Sequence, residues 1–313
     1  MAHTHEKHER LIARCRSLPP VPAAVAHPCD RTSLEGTLDA ARLGLITPTL
    51  VGPAGRIAAV AEECRLDISR CSIVDARHSQ EAAEKAVALV RSGEAEILMK
   101  GSLHTDELLG AVVKRDTGLR TARRLSHCFV MDVPGHPDVL VITDAAVNIA
   151  PTLEDKVDIV QNAVDMVHAL GQDDVRVAIL SAMETVSSKV PSTIDAAALC
   201  KMADRKQITG ALVDGPLALD NAISLEAAGI KQLDSPVAGR ANVLVVPDLE
   251  AGNMLAKSLS FLAGADSAGI VLGAKVPIVL TSRADSVAAR LASCAVAVLL
   301  ANARREQAGR AVA

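Results

Sequence analysis

The segment Thr281-Ser282-Arg283-Ala284-Asp285 gathers the densest set of reactive side chains in the sequence. A guanidinium such as that of Arg283 grips phosphate through paired hydrogen bonds. Ser282 adds a hydroxyl donor, and a helix expected to begin near Asp285 adds free backbone N–H groups. An oxyanion is the ligand this set suits. In the plainer reading Asp285 caps a helix and Arg283 is a surface residue. Lys100 stands at the end of an apolar run, before Gly101-Ser102 and Thr105-Asp106. That arrangement suits a second anion contact, or only a solvated lysine. Asp144 and Asn148 follow another apolar run, and Asp214 precedes Gly215-Pro216. In the stretch 235–257, Arg240 leads into the apolar run 243–246, and Pro247-Asp248 ends it. Asp248 is a natural N-cap, yet Gly252 and Asn253, both poor helix formers, fall inside the helix that follows. Such irregularity after a buried strand marks either a ligand edge or an ordinary strand-to-helix turn.

The elements that must position these residues alternate. Apolar runs predict strands at 21–26, 45–51, 72–75, 96–99, 126–131, 139–142, 175–180, 211–213, 243–246 and 278–281. Helical periodicity and caps predict helices at 4–17, 30–43, 54–64, 79–91, 105–114, 153–170, 192–203, 249–260 and 285–302. Strands that are apolar throughout, separated by helices, predict an α/β fold with mostly parallel sheets covered on both faces. The exception is 125–143, where VPGHPD between two strands reads as a hairpin and marks a domain join or a dimer edge.

Composition narrows the function classes. Of 313 residues half are apolar, and the net charge is −4. Trp and Tyr are absent, and Phe129 and Phe261 are the only aromatic rings of that class. Base stacking and electrostatic attraction to nucleic acid are therefore not expected. No run reaches the roughly 18 apolar residues that span a bilayer, so no membrane partner is expected. MAHTHEKHER lacks the pattern of a signal peptide, and the cytoplasm is the expected location. Seven scattered cysteines without a Cys-x-x-Cys pair fit reduced thiols. His3, His5 and His8 make a poor metal clasp, and no metal site is expected. Gly-x-Gly-x-x-Gly, Walker and Gly-x-Ser-x-Gly sequences are absent.

Taken in order, LMKGSLHTDELL (98–109), LSHCFVMDVP (125–134), VITDAAVNIAPT (141–152), DGPLALDNAIS (214–224), SPVAGRANVLVVPDLEAGNMLAK (235–257) and VPIVLTSRADS (276–286) resemble the phosphate acetyltransferase and phosphate butyryltransferase family. The resemblance covers nearly all of the chain past residue 20. It implies reversible acyl transfer between coenzyme A and inorganic phosphate, acetyl-CoA plus phosphate giving acetyl phosphate plus CoA. Butyryl-CoA or another short acyl-CoA is the alternative substrate, and two of the six stretches lean that way. Coenzyme A is a substrate, and no cofactor is implied. The implied fold is the two-domain one of isocitrate and isopropylmalate dehydrogenases, with an interdomain cleft, usually as a homodimer. Residues 1–144 with 275–313 would form one domain and 145–274 the other.

Residue by residue, Ser282 and Arg283 match the family's Ser-Arg pair, Arg283 holding the phosphoryl group and Ser282 stabilising developing charge. Lys100, Asp144, Asn148, Asp214, Arg240, Asp248 and Asn253 lie in the other matching stretches and are candidate substrate contacts. The acetyltransferase base, an Asp seven residues after that Ser, is replaced here by Ala289. Asp285, Asp248 and Asp144 stay open as carriers of that role. An acyl-cysteine route would need a reactive thiol, and Cys128 and Cys294 sit in apolar segments, so direct transfer is expected. A decarboxylating dehydrogenase of the same fold would need an Asp cluster for a metal, which the sequence lacks. A binding protein that kept the fold without the reaction is the remaining rival.

Overall fold

A computed structural model describes residues 6–281 and 285–312. The first arm of the chain runs α1 (Glu6–Cys15), β1 (Val21–Ala26), α2 (Arg31–Arg42), β2 (Ile46–Gly52), α3 (Ala54–Glu63), β3 (Ser72–Asp75), α4 (Ser79–Ser92), β4 (Ile97–Lys100) and α5 (Thr105–Val112). Next come β5 (Ser126–Asp132), β6 (Leu140–Thr143), α6 (Leu153–Ala169), β7 (Arg176–Leu180), α7 (Pro191–Asp204) and β8 (Leu212–Leu217). The chain then forms α8 (Leu219–Ile223), α9 (Leu225–Ile230), β9 (Val243–Val245), α10 (Leu249–Leu262), β10 (Asp266–Leu272), β11 (Ile278–Val279) and α11 (Val287–Val312).

Two compact units result. The terminal unit joins His8–Arg123 to Ala268–Ala313, and the insert unit joins Met1–Lys7 to Arg124–Ser267. Both boundaries come earlier in the chain than those expected from sequence. The β5–β6 hairpin is the reason: β6 continues parallel into β9, with Val141 opposite Val243, and so belongs to the insert.

Strands of the terminal unit run in the order β3-β2-β1-β4-β11-β10. All pairs are parallel except β10 with β11. Those of the insert run β5-β6-β9-β7-β8, parallel after the opening hairpin. Central strands β4, β6 and β9 are buried along their whole length, as apolar strands covered on both faces must be.

Three expectations change. Strand β10 was not anticipated, because SerAlaGly interrupts its apolar run. Strand β8 continues through Asp214, Gly215 and Pro216, past a register shift against β7, as an edge strand permits. Helix α11 runs on past Asn302, and Val287–Arg310 is long and apolar enough to cross a membrane by length and composition. Of its most apolar window 67% is buried inside the protein. The sequence expectation of no span-length segment is therefore corrected: α11 is a core helix.

Candidate active site

The terminal unit has a topological switch point between β1 and β4. From β1 the chain passes to β2 on one side, and it later returns to β4 on the other. In open α/β sheets the crevice beyond the carboxyl ends of such strands is where ligands bind. Here the turns after β1 and β4 lock together. Gly101 N–H donates to Ala26 O at 2.8 Å and Ser102 N–H to His27 O at 2.9 Å. The Ser102 hydroxyl donates to His27 O at 2.8 Å, lies 3.0 Å from His27 Nδ1 and accepts from Cys29 N–H at 3.3 Å. This approach requires glycine at 101, since a Cβ there would stand 2.5 Å from the carbonyl oxygens of both Ala26 and His27.

A cavity of about 340 Å³ opens at this edge, lined among others by His27, Cys29, Arg56, Ser102, His104 and Glu107. Its carboxylates are engaged. Asp30, which also lines it, caps α2 by accepting from Ser33 N–H at 2.8 Å. Glu107 accepts from His104 N–H at 2.8 Å and the Ser79 hydroxyl at 2.5 Å. The exposed Arg56 guanidinium supplies positive charge. Burial, reinforced by Arg56, pushes the His27 imidazole below its ordinary pKa. Burial pushes the Cys29 thiol up to about 11. Helices α2, α4 and α5 all begin beside the cavity, so the positive ends of three helix dipoles meet there. The edge suits an anion and no thiolate.

Strand β4 lies between β1 and β11, pairing Ala26 with Lys100 and Met99 with Val279. Lys100 is therefore at the carboxyl edge, and it is buried rather than solvated, its Nζ 3.4 Å from Gly101 O. Strand β11, which the motif follows in the sequence, ends at the same edge. Ser282 and Arg283 lie outside the described residues; Thr281 and Asp285 flank them. Asp285 is half-buried and Ala289, the position without a carboxylate, is buried.

In the insert the remaining candidates are placed differently. Asp144 is buried, and its carboxylate is an acceptor hub. Oδ1 takes Ala146 and Val147 N–H, both at 2.9 Å. Oδ2 takes His127 N–H at 3.1 Å, Asn148 N–H at 3.3 Å and Asn148 Nδ2 at 2.6 Å. Asn148 is spent as well, donating to Leu125 O at 2.8 Å and accepting from Arg124 Nε at 2.5 Å. The pair shapes the turn after β6 and has little capacity left for substrate. His127 stacks edge-on against Phe129, with ring centroids 4.4 Å apart. Burial pushes its pKa down to about 4 against the pull of Asp144, and its Nδ1 has no hydrogen-bond partner.

Asp248 caps α10 by accepting from Ala251 N–H at 2.8 Å, the plainer of its two sequence readings. Asn253 reaches Ala145 O only at 3.4 Å. Asp214 lies within β8 and accepts from Gly215 N–H at 2.9 Å. Arg240 is exposed before β9, whereas Asp248 follows it. The stretch 235–257 therefore spans both ends of one strand and does not gather its polar residues at one edge.

Sequence reading missed three residues of the terminal unit: His27, Arg56 and Arg290. A cation four positions into an apolar helix was the signal for Arg290. Among the described residues no group of His, Cys, Asp or Glu is arranged to hold a metal ion.

Comparison with known proteins agrees with the sequence resemblance. The family model described as phosphate acetyl/butaryl transferase matches residues 79–298. A phosphate acetyltransferase of Rhizobium meliloti is 66% identical over 299 residues, 96% of this chain and 95% of its own. A phosphate butyryltransferase of Clostridium beijerinckii is 41% identical over 293 residues, 94% of this chain and 97% of its own. The crystal structure of a branched-chain phosphotransacylase from Enterococcus faecalis V583 superposes with a TM-score of 0.79 at 32% identity, covering 90% of this chain and 99% of that one.

Proposed function

Since the chain belongs to the phosphate acetyl/butaryl transferase family, we propose that it transfers an acetyl group between coenzyme A and inorganic phosphate at the carboxyl edge of the terminal unit. One observation carries the placement. Strand β11, which Thr281 and then the Ser282-Arg283 pair follow in the sequence, ends beside β4 at the same edge as the switch-point cavity and the buried Lys100. Arg56, Lys100 and several helix starts at one sheet edge favour an anion there.

In the direction of acyl-CoA synthesis, the CoA thiol loses its proton and the thiolate attacks the carbonyl carbon of the acyl phosphate. The carbonyl π electrons move to oxygen, giving a tetrahedral oxyanion. Collapse re-forms the carbonyl and expels phosphate with the former ester oxygen. Ser282 and the local N–H groups stabilise the oxyanion, and Arg283 holds the departing phosphate. Asp285, the carboxylate carried by the matching motif itself, takes the thiol proton. Direct transfer fits the thiols. Burial pushes Cys128 and Cys294 up to about 12, so neither is a thiolate at neutral pH.

Ala289 favours butyryl-CoA as a second reading, since the acetyltransferase carboxylate is missing there. The relative with 66% identity favours acetyl. The reading includes an isocitrate/isopropylmalate dehydrogenase-like two-domain chain acting in the cytoplasm as a homodimer. Thiol release from acetyl-CoA and butyryl-CoA, with and without phosphate, is the test. Phosphate-dependent release faster with acetyl-CoA is expected. Faster release with butyryl-CoA moves the chain to the second reading, and no dependence on phosphate rejects both.

A further inference from the structure

Arg290 stands in the first turns of α11 and is 1% exposed, in a helix whose other buried positions are apolar or small. Its Nη1 donates to the hydroxyl of Thr281 at 2.6 Å. Its backbone N–H donates to Ser286 O at 3.2 Å, and the Ser286 hydroxyl accepts from Ala289 N–H at 3.1 Å. Thr281 immediately precedes Ser282, and Ser286 closes the other end of the motif. One side chain thus ties the strand end to the helix start on the two sides of residues 282–284.

Neighbouring elements accommodate this side chain. On α2, a Cβ at Gly36 would stand 2.8 Å from Arg290 Cδ and 3.3 Å from its Cβ. Asp285 and Asp30 act on the guanidinium against the burial that disfavours its charge. Burying a cation costs several kcal/mol, and a well-packed apolar residue of similar volume is commonly as stable or more so. Packing alone gives no reason for arginine here. A fork-shaped donor anchored beside the motif does.

We infer that Arg290 is a positioning residue for the phosphate half of the reaction, fixing the strand end at Thr281 that the Ser282-Arg283 pair follows in the sequence. The inference rests on the acyl-transfer reading above. It adds a residue that acts through the motif without touching the substrate.

The test is steady-state thiol release from acyl-CoA at varied phosphate, with thermal unfolding in parallel, for the wild type, Arg290→Lys, Arg290→Met and Gly36→Ala. Arg290→Lys keeps the charge and covers the case in which Arg290→Met does not fold. Misplacing a binding group by about 1 Å costs on the order of 10²-fold. Arg290→Met should therefore lose about 10- to 100-fold in kcat/KM for phosphate, with Arg290→Lys between it and the wild type. Gly36→Ala should shift the same parameter in the same direction. KM for acyl-CoA should stay within about twofold, which a general structural defect would not spare. A folded Arg290→Lys or Arg290→Met with wild-type kcat/KM for phosphate overturns the inference, as does an equal loss for both substrates. A wild type whose thiol release ignores phosphate overturns the reading beneath it, and this inference falls with it.

Discussion

Replacing Asp144 with Asn separates a structural carboxylate from a chemical one. In the protein five donors converge on the two oxygens of Asp144: two N–H groups on Oδ1 and three donors on Oδ2. An amide must turn its NH2 toward one of these sets. The cheaper choice faces the N–H groups of Ala146 and Val147 and loses two hydrogen bonds. Each bond to a buried charged acceptor contributes about 1.5–3 kcal/mol, so the substitution should cost about 3–6 kcal/mol. Urea unfolding followed by circular dichroism reads this as a lower midpoint with an unchanged slope. Turnover per folded molecule, measured by thiol release, should fall by less than about tenfold. The opposite pattern, wild-type stability with turnover reduced by about 10³ or more, would refute the reasoning and make Asp144 the base.

Gly101→Ala forces a methyl group against the carbonyl oxygens of Ala26 and His27 and disturbs two turn hydrogen bonds. Overpacking and the weakened bonds together should cost about 3–5 kcal/mol. Wild-type urea stability would show that the turn is more pliant than drawn. His127, with its folded pKa lowered to about 4, should make stability depend on pH. The unfolded chain takes up that proton near its ordinary pKa of about 6.5 and the folded chain does not. The contribution is therefore complete above about pH 6.5 and is lost as pH falls toward 4, by on the order of 3 kcal/mol. His127→Phe should flatten that slope, and a slope equal to wild type would contradict the buried neutral imidazole. Cys29 lines the cavity with its thiol pushed up to about 11, so Cys29→Ala should keep turnover within about threefold. Labelled acyl-enzyme formed from acyl-CoA alone in the wild type, and lost in this variant, would reinstate a covalent route.

Much of the fold was legible because its signals are local. Apolar strands such as 97–100 and 243–245 read as buried strands, and the VPGHPD hairpin stood out against the alternation. Strand β10 escaped because Ser267, Ala268 and Gly269 dilute its apolar run, and only tertiary burial makes it a strand. In the site, residue type was readable but position was not. Asp248 and Asp144 look chemically available in the sequence, yet each is consumed by backbone N–H groups supplied by its own turn. Gly252, which looked out of place in a helix, is there because a Cβ would meet Asp144 O at 3.0 Å and Val246 Cγ2 at 2.8 Å. His27 and Arg56 were overlooked because the cavity they line depends on strand order, which brings the turn after β1 beside the turn after β4. No spacing in the chain announces that.

The most direct measurement is turnover of a folded Arg283→Ala protein at saturating acyl-CoA and varied phosphate. If phosphate is held at the edge where β11 ends, losing this guanidinium should remove about 3–4 kcal/mol of stabilisation, a fall of roughly 10²–10³ in rate. Exogenous guanidinium should recover part of it. A folded Arg283→Ala enzyme turning over at a near-wild-type rate would contradict the placement of the reaction at this edge.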